Sequence, residues 1–494
     1  MSVLPADPHL PVAHLRPPRN WLNDPNGLAF HDGYYHVFFQ YNPYGPEHAH
    51  MHWGHFRSTD LLTWEELPVA LSPTPGGEDA DGCYSGNAVS DGDRMVAFYS
   101  AFRTDRWAQP VTTAASIDDG RTWTPRGSLL IPELPPGVSM YRDPYVWHEG
   151  DRWRMLVGSA LTDGRAAALL YESADLEQWQ YRGPFLDQAP QPVAPGADTG
   201  LGWECPQYLH APDGRGALIV SAWDPELGPR RTVVYAGREQ EGRFLADAPV
   251  LFDHGPDLYA PALLPAPDDR WLLWGWSWEA RDPQWVSAAG WAGMLTLPRE
   301  VTLGEDGSVR QQPAAELLSL RDGRALTASG ETSATAVLGT VDASFDLTAR
   351  LEFHAPGGGL RLVTSAEGSE FLDIRIDPAT GDLVVDRDHA SLDPRAHGGT
   401  YRMPCPEAKT ASGAAIELRL VVDRSVAELY LPSGRTLTLR FYPTGGSPWR
   451  IEAHASAEGH AAGEGRLGYT VAAWNLRPYT MRREAEASAR PALR

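Results

Sequence analysis

Three carboxylic acids in this chain each stand in a short motif that contains a proline. Asp24 lies within residues 21–27, which read Trp-Leu-Asn-Asp-Pro-Asn-Gly, while Asp143 directly precedes Pro144 and Glu204 precedes Cys-Pro. Asn-Pro and Asn-Gly pairs are typical of surface turns, because proline fixes φ and asparagine and glycine tolerate positive φ. An apolar strand pattern borders each motif, however, and this favours a site with acid, base and nucleophile roles.

The composition limits the classes of protein to which the chain can belong. It has 494 residues, of which 42% are hydrophobic and 10% aromatic, and its formal charge is −22. This length exceeds one ordinary hydrophobic core and predicts two domains. The negative charge argues against nucleic acids and anionic membranes as partners. The sequence has neither a secretion-signal pattern nor a run of 18 apolar residues, so we expect a cytoplasmic protein without a membrane span.

The cysteines and histidines do not predict a metal site. Cys83, Cys205 and Cys405 are far apart and lack the spacing of a disulfide framework or a zinc site. A histidine cluster also lacks a carboxylate or cysteine partner at ligand spacing. It comprises His48, His50, His52 and His55. We therefore expect neither a metal nor another cofactor.

An internal repeat organises the first 300 residues. An acidic turn precedes an apolar or aromatic strand five times, and successive turns begin 59, 58, 64 and 55 residues apart. The turns start at Asp32, Asp91, Glu149, Asp213 and Asp268. Repeats of this length with several strands each are typical of propeller blades, so we predict an all-β fold with a five-bladed β-propeller over residues 1–305. Each blade offers its innermost strand to a central funnel, where acids from different blades could meet.

The remainder of the chain predicts a second β domain. Residues 311–320 have the best helical pattern, and we expect a linker with a short helix over residues 306–329. From 330 to 482, short alternating strands separated by glycine and aspartate turns predict a β-sandwich. The polar residues 483–494 are expected to be a frayed tail.

The order of the motifs resembles that of glycoside hydrolase family 32, which includes invertases, inulinases, levanases and sucrose-6-phosphate hydrolases. Besides the three acid motifs, the matching stretches lie at 40–43, 53–55, 84–86, 257–260, 290–293 and 297–300. Two sandwich-domain signatures also match, Asp-Arg at 386–387 and Asp-Arg-Ser-Val-Ala-Glu at 423–428. The resemblance extends from about residue 14 to residue 476. It implies a five-bladed propeller followed by a β-sandwich, with no metal requirement.

The resemblance also implies a role for each acid. Asp24 would be the nucleophile that forms a covalent fructosyl-enzyme, and Glu204 the general acid and then the general base. Asp143, together with Arg142, would hold fructose hydroxyls and steady the transition state. A retaining glycosidase needs an ionised and a protonated carboxyl group ~5–5.5 Å apart. We therefore expect a raised pKa for Glu204, to which the charges of Asp24 and Asp143 contribute.

Several further residues match, or lie beside, sugar-binding positions of the family. These are Asn23, Gln40, Trp53, Tyr84, Ser85, Tyr259 and Trp276. For the tryptophans and Tyr259 the alternative is a place in the core, and for Asn23 and Gln40 it is turn capping. His48 departs from the pattern, because several invertases have tryptophan at its position, and this leaves sucrose less certain as the preferred substrate.

Three functional hypotheses remain at this stage. The leading one is a retaining, exo-acting β-fructofuranosidase that releases fructose from sucrose or another small or oligosaccharide β-fructoside. The second is a fructosyltransferase, in which a sugar hydroxyl attacks the same intermediate. The third is a non-catalytic sugar-binding propeller, which the presence of all three acids disfavours. The sequence leaves open whether sucrose or its 6-phosphate is preferred, and it allows a homo-oligomer.

Overall fold

The computed structural model describes residues 7–353, 357–377, 379–409, 414–455 and 466–483. The chain is nearly all-β, with 58% strand and 4% helix. None of the helices in the described ranges has the length and apolar character needed to cross a membrane.

Five antiparallel sheets follow one another in the first half of the described chain. The first contains β1 (Asn20–His31), β2 (Tyr34–Asn42), β3 (His52–Ser58) and β4 (Thr63–Leu71). The second contains β5 (Gly82–Asp91), β6 (Arg94–Phe102), β7 (Val111–Ser116) and β8 (Thr124–Pro125). The third contains β9 (Val138–Glu149), β10 (Arg152–Leu161), β11 (Ala166–Ser173) and β12 (Gln180–Gln188).

The fourth and fifth sheets are interrupted by short elements. A hairpin of β13 (Pro192–Ala194) and β14 (Ala197–Asp198) precedes the fourth sheet. That sheet contains β15 (Gly202–His210), β16 (Arg215–Asp224), β17 (Gly228–Gln240), β18 (Arg243–Ala246) and β19 (Val250–Leu251). The fifth begins with β20 (Leu258–Pro265) and β21 (Trp271–Ser277). Helix α1 (Pro283–Ala289) follows, and then β22 (Trp291–Ala292), which pairs in parallel with β1 at the edge of the first sheet. The fifth sheet is completed by β23 (Met294–Leu295), β24 (Arg299–Leu303) and β25 (Val309–Pro313).

The innermost strands of these sheets, β1, β5, β9, β15 and β20, contact one another in a closed ring. The repeated acidic turns of the sequence are the hairpins that leave these strands. In four of them a glycine adopts positive φ, between 61° and 81°, a conformation that glycine reaches without steric cost. These are Gly33, Gly92, Gly150 and Gly214. The recurrence of glycine at this spacing therefore reflects one backbone requirement repeated around the ring.

The second half of the chain forms two six-stranded antiparallel sheets around one apolar core. One sheet contains β26 (Arg321–Thr332), β28 (Ser344–Phe353), β33 (Ala414–Asp423), β34 (Val426–Tyr430), β35 (Thr436–Arg440) and β37 (Leu467–Leu476). The other contains β27 (Thr335–Val341), β29 (Gly358–Val363), β30 (Phe371–Ile376), β31 (Asp382–Asp386), β32 (Thr400–Pro404) and β36 (Trp449–Ala455). Leu372, Leu420 and Ile451 are among the side chains buried between them. The predicted order of a propeller followed by a β-sandwich is confirmed.

The boundary between the two domains differs from the predicted linker over residues 306–329. β25 pairs with β24 in the fifth propeller sheet, and β26 already pairs with β37 in the sandwich. Between them lies only a 3-10 helix, Ala315–Leu320; a second 3-10 helix covers Pro406–Lys409. The predicted short helix thus covers only the second part of residues 311–320, because the first part is an edge strand that ends at Pro313.

The end of the described chain also departs from the prediction. β38 (Thr480–Arg483) leaves the sandwich and pairs in parallel with β4 of the first propeller sheet. The predicted sandwich limit at residue 482 therefore falls inside a strand of the propeller. Of the predicted polar tail, residues 484–494 lie outside the described residues.

A buried ionic cluster joins the propeller to the sandwich. The two ring nitrogens of His14 lie 2.9 Å from Asp423 Oδ2 and 3.0 Å from Glu428 Oε1. Arg299 donates to Glu428 Oε2 at 2.7 Å and to Asp253 Oδ2 at 3.0 Å. All five side chains are buried. Each acid thus has a cationic partner, which is the arrangement that buried charges require.

Candidate active site

Each of the five innermost strands is irregular at the point where the predicted site residues lie. The ladders are interrupted at Asp24 in β1, Ser85 in β5, Asp143 in β9, Cys205 in β15 and Ala260 in β20. A β-bulge leaves its extra residue outside the ladder and redirects the side chain. Asp143, Cys205 and Ala260 also have φ of 62°, 46° and 44°, which is uncommon for residues with a Cβ. Strained backbone of this kind is concentrated at functional sites.

Asp24 is held by neutral hydrogen-bond donors. Ser85 Oγ donates to its Oδ2 at 2.5 Å, and Asn23 Nδ2 donates to its Oδ1 at 3.0 Å. The amide group of Gln40 lies 3.0 Å from Ser85 Oγ and fixes that hydroxyl in turn. Burial raises the pKa of Asp24, while the bonds from Ser85 and Asn23 act in the opposite direction. The carboxylate is therefore oriented without being neutralised by a cation.

Glu204 lies between a guanidinium and a phenol. Arg142 Nη1 donates to Oε1 at 3.0 Å, and the Tyr259 hydroxyl lies 2.7 Å from Oε2. The same hydroxyl is 3.1 Å from the carbonyl oxygen of Ala222, which gives its proton an alternative acceptor. Burial raises the pKa of Glu204 in spite of the opposing effects of Arg142 and Tyr259. Tyr259 can thus donate to an ionised Glu204, or turn its proton to Ala222 and accept from a protonated one.

Asp143 is the third acid of the cluster. The backbone N–H of Cys205 donates to its Oδ2 at 3.1 Å, and its own N–H donates to Ser100 Oγ at 2.7 Å. Burial and then the negative charge of Glu204 raise the pKa of Asp143 to about 7, against the influence of Arg142. Two carboxyl groups that interact in this way titrate as a pair, and burial favours the protonated form of each.

Cys205 connects the three motifs in space. Its Sγ is 3.7 Å from Asp24 Oδ2 and 3.6 Å from Asp143 Oδ2, and the residue before it in the chain is Glu204. Burial raises the pKa of the thiol well above its ordinary value, so the sulfur adds no charge. The structure therefore brings together acids that are 119 and 61 residues apart in sequence.

The aromatic residues predicted to bind sugar separate into two groups. Trp276 packs edge-on against Trp21 at a centroid distance of 5.8 Å, and Tyr84 stacks on Phe102 at 4.4 Å. Trp53, in contrast, is 0% exposed, and its indole N–H donates to the carbonyl oxygen of Tyr84 at 3.2 Å. The prediction that Trp53 lines the sugar pocket is corrected, because its ring packs in the core between the first two sheets and supports the site from behind.

Of two further residues near the acids, one was missed in the sequence and the other was expected. Ser100 was not predicted, although its hydroxyl fixes the backbone of Asp143; a lone serine at the end of an apolar strand gives no signal of this role. His48 was expected at the rim, and its ring lies 5.8 Å from that of Trp21 and 5.9 Å from that of Tyr84. Burial lowers the pKa of His48, so the imidazole is uncharged near neutral pH.

Known proteins share both halves of this architecture. A family model described as "Glycosyl hydrolases family 32 N-terminal domain" matches residues 14–313, and one described as "Glycosyl hydrolases family 32 C terminal" matches residues 316–471. The chain is 32% identical over 452 residues to a raffinose invertase of Escherichia coli, covering 88% of this chain and 89% of that protein. It is 30% identical over 482 residues to a sucrose-6-phosphate hydrolase of Bacillus subtilis, covering 92% of each.

The fold agrees with solved structures as well. A structure of fructan 1-exohydrolase IIa from Cichorium intybus superposes with a TM-score of 0.83 and 22% identity, covering 97% of this chain and 99% of the other. At this identity the likeness establishes the propeller and sandwich architecture. The sequence matches across both domains establish the family as well, and the family predicted from the motifs is confirmed. This chain belongs to glycoside hydrolase family 32.

Proposed function

We propose that this protein is a retaining, exo-acting β-fructofuranosidase that releases terminal fructose from sucrose or short β-fructans. The observation that carries the proposal is the difference in hydrogen-bond partners between two neighbouring, partly exposed carboxyl groups. Asp24 is oriented by Ser85 and Asn23. Glu204 lies beside Arg142 and Tyr259, and burial together with the charge of Asp24 raises its pKa against their effects. This is the division between nucleophile and acid that retaining glycosidases need.

In the first step, Glu204 would give its proton to the oxygen of the departing group. Asp24 attacks the anomeric carbon of the fructosyl unit from the other side, the bond to the departing oxygen breaks, and a covalent fructosyl-enzyme forms. As Glu204 loses its proton, Arg142 and Tyr259 are placed to stabilise the new carboxylate, since each lies within hydrogen-bonding distance of one of its oxygens.

In the second step, a water molecule would replace the departed sugar. Glu204 removes a proton from the water, the resulting oxygen attacks the anomeric carbon, and the bond to Asp24 breaks. Two inversions give net retention. Asp143, held by Ser100 and by the backbone of Cys205, would bind fructose hydroxyls during both steps.

The stereochemistry of the first product tests this proposal. Proton NMR at early times of sucrose hydrolysis should show β-fructofuranose first, with the other forms appearing only by mutarotation. An inverted first product would assign Asp24 the role of a base instead of a nucleophile. A product mixture dominated by trisaccharides at low sucrose concentration would favour fructosyl transfer over hydrolysis.

A further inference from the structure

A cavity of about 500 Å³ is lined by His48 and Tyr84, two residues that lie near the three acids. His48 contacts Trp21, which donates through its indole N–H to Asn23 Oδ1 at 2.7 Å, one residue from Asp24. The charge of Glu204 acts on His48, and that of Arg142 acts on Tyr84. His48 and Tyr84 thus belong both to the wall of this cavity and to the surroundings of the acids, which makes the cavity the candidate place for a departing group.

The lining of this cavity carries one fixed negative charge. Asp81 Oδ2 accepts hydrogen bonds from the backbone N–H and the hydroxyl of Thr104, at 2.8 and 2.9 Å. These bonds lower the pKa of Asp81, so it is ionised at neutral pH. Burial lowers the pKa of His48 and of His52, which are therefore uncharged under the same conditions.

No lysine or arginine lines the cavity within the described part of the chain. The two nearest arginines in sequence are engaged elsewhere. Arg103 donates to both carboxylate oxygens of Asp105, at 2.8 and 2.6 Å. Arg106 donates to Glu78 Oε2 at 2.7 Å and to two backbone carbonyl oxygens. Both guanidinium groups are thus held by acceptors other than a group in the cavity.

The cavity does offer surfaces that suit a neutral sugar. Tyr44 lies at the edge of the cavity and is 74% exposed. Its ring makes edge-on contacts with those of His50 and His52, at centroid distances of 5.8 and 5.7 Å. An exposed aromatic face can pack against the C–H face of a sugar ring. Imidazole nitrogens and the Asp81 carboxylate can bind sugar hydroxyls, which act as both donors and acceptors.

We propose that this cavity accepts a neutral glycosyl departing group and rejects one that carries a phosphate, with Asp81 as a determinant of that choice. The inference rests on the proposed function and makes it more specific. Guanidinium and ammonium groups are the side chains best suited to bind a phosphate, and here the phosphate would meet the like charge of Asp81 instead. Sequence identity does not decide between a neutral and a phosphorylated substrate, because an invertase and a sucrose-6-phosphate hydrolase are almost equally identical to this chain.

The test compares kcat/KM for sucrose and for sucrose 6-phosphate, measured by release of fructose. The wild-type protein should prefer sucrose by roughly tenfold or more, as expected for a doubly charged group placed near one carboxylate in a solvated cavity. Asp81→Asn keeps the size of the side chain and removes its charge, so the preference should fall by about threefold to tenfold. The KM for the phosphorylated substrate should change most.

Asp91→Asn is the matched control. Asp91 lies in the same sheet, at the other end of β5, where it pairs with Arg94 at 2.8 Å, so its replacement should leave the ratio unchanged. Preference of the wild-type protein for sucrose 6-phosphate would overturn the inference while leaving the fructosidase assignment intact. An unchanged ratio in Asp81→Asn would overturn the role of Asp81. Absence of fructose release from both substrates would overturn the proposed function itself.

Discussion

The ring of innermost strands and the interface between propeller and sandwich each hold a cluster of buried or half-buried carboxyl groups. At the interface, burial alone would raise the pKa of Glu428, but Arg299 and His14 hold it at about 2. In the ring, burial and the charge of Glu204 raise the pKa of Asp143 to about 7. The residue types and the degree of burial are similar, yet the shifts have opposite signs.

The difference lies in the number of cations. At the interface His14 and Arg299 contact all three acids, and the pKa of His14 is raised to about 9 by Asp423 and Glu428 although its burial acts against this. In the ring, the described structure provides one guanidinium contact to the three acids, from Arg142 to Glu204. The interface cluster therefore stabilises the fold, whereas the ring holds acids at a cost in stability, as functional sites do.

The largest effect should come from Asp24→Asn in the ring. The amide cannot form the covalent bond to fructose, so kcat for sucrose should fall by ~10⁴-fold or more. The free energy of unfolding should not decrease, because Asn keeps the shape and no ion pair is lost. Initial rates and urea unfolding measure the two quantities. A variant with more than a few per cent of wild-type kcat would exclude Asp24 as nucleophile.

Glu204→Gln should have the next largest effect. It removes proton donation in the first step and water activation in the second, so sucrose turnover should fall by ~10²–10⁴-fold. The alkaline limb of the pH profile should also flatten, since its titrating group is gone. A β-fructoside with an activated aryl departing group needs little protonation and serves as the control. Equal slowing of the first step for both substrates, with the alkaline limb unchanged, would exclude Glu204 as the acid.

Glu428→Gln at the interface should produce the opposite pattern. It leaves Arg299 and His14 buried without their shared acid, and the free energy of unfolding should fall by ~3–5 kcal/mol. The kcat of the molecules that remain folded should be unchanged, because the cluster does not belong to the site. Glu352→Gln, in an exposed ion pair with Arg350, is the control and should leave the unfolding midpoint almost unchanged. Loss of kcat without loss of stability would contradict the division between the two regions.

The smallest effect is expected from Asp143→Asn, which should change how the stability of the protein depends on pH. An acid whose pKa is higher in the folded state loses stability as pH rises from its unfolded pKa, about 3.8, to its folded pKa, about 7. The amide does not titrate, so Tm of the variant should exceed that of the wild type by a few degrees at about pH 7.5. The difference should vanish near pH 4. A variant that is less stable at the higher pH would show that Asp143 is ionised and paired in the folded protein.

The sequence predicted the features that repeat or that form local motifs. The acidic turns recur because each hairpin needs the same backbone conformation, and Gly33 and Gly92 satisfy it with positive φ. Asp24, Asp143 and Glu204 could be found because each lies in a compact motif. In the structure, Asp24 and Asp143 contact Cys205, and Glu204 precedes it in the chain. The three acids therefore meet at the centre of the ring, as the propeller prediction required.

Features that depend on distant pairing could not be predicted in this way. β26 pairs with β37, and β38 pairs with β4, across large separations in sequence, so local patterns placed the domain limits wrongly. The role of Ser100 was missed, and Trp53 was assigned to the sugar pocket, for a related reason. A serine at a strand end and a tryptophan in a motif look alike in sequence whether they face the site or the core, because burial is decided by neighbouring sheets.

The covalent intermediate provides the most direct test of the roles assigned to the acids. In Glu204→Gln, an activated aryl β-fructoside should still react in the first step, while the second step lacks its base. Rapid acid quenching followed by peptide mass spectrometry should then show one fructosyl unit on the peptide that contains Asp24. An adduct on another residue, or rapid release of the aryl group without any adduct on Asp24, would contradict the proposed mechanism.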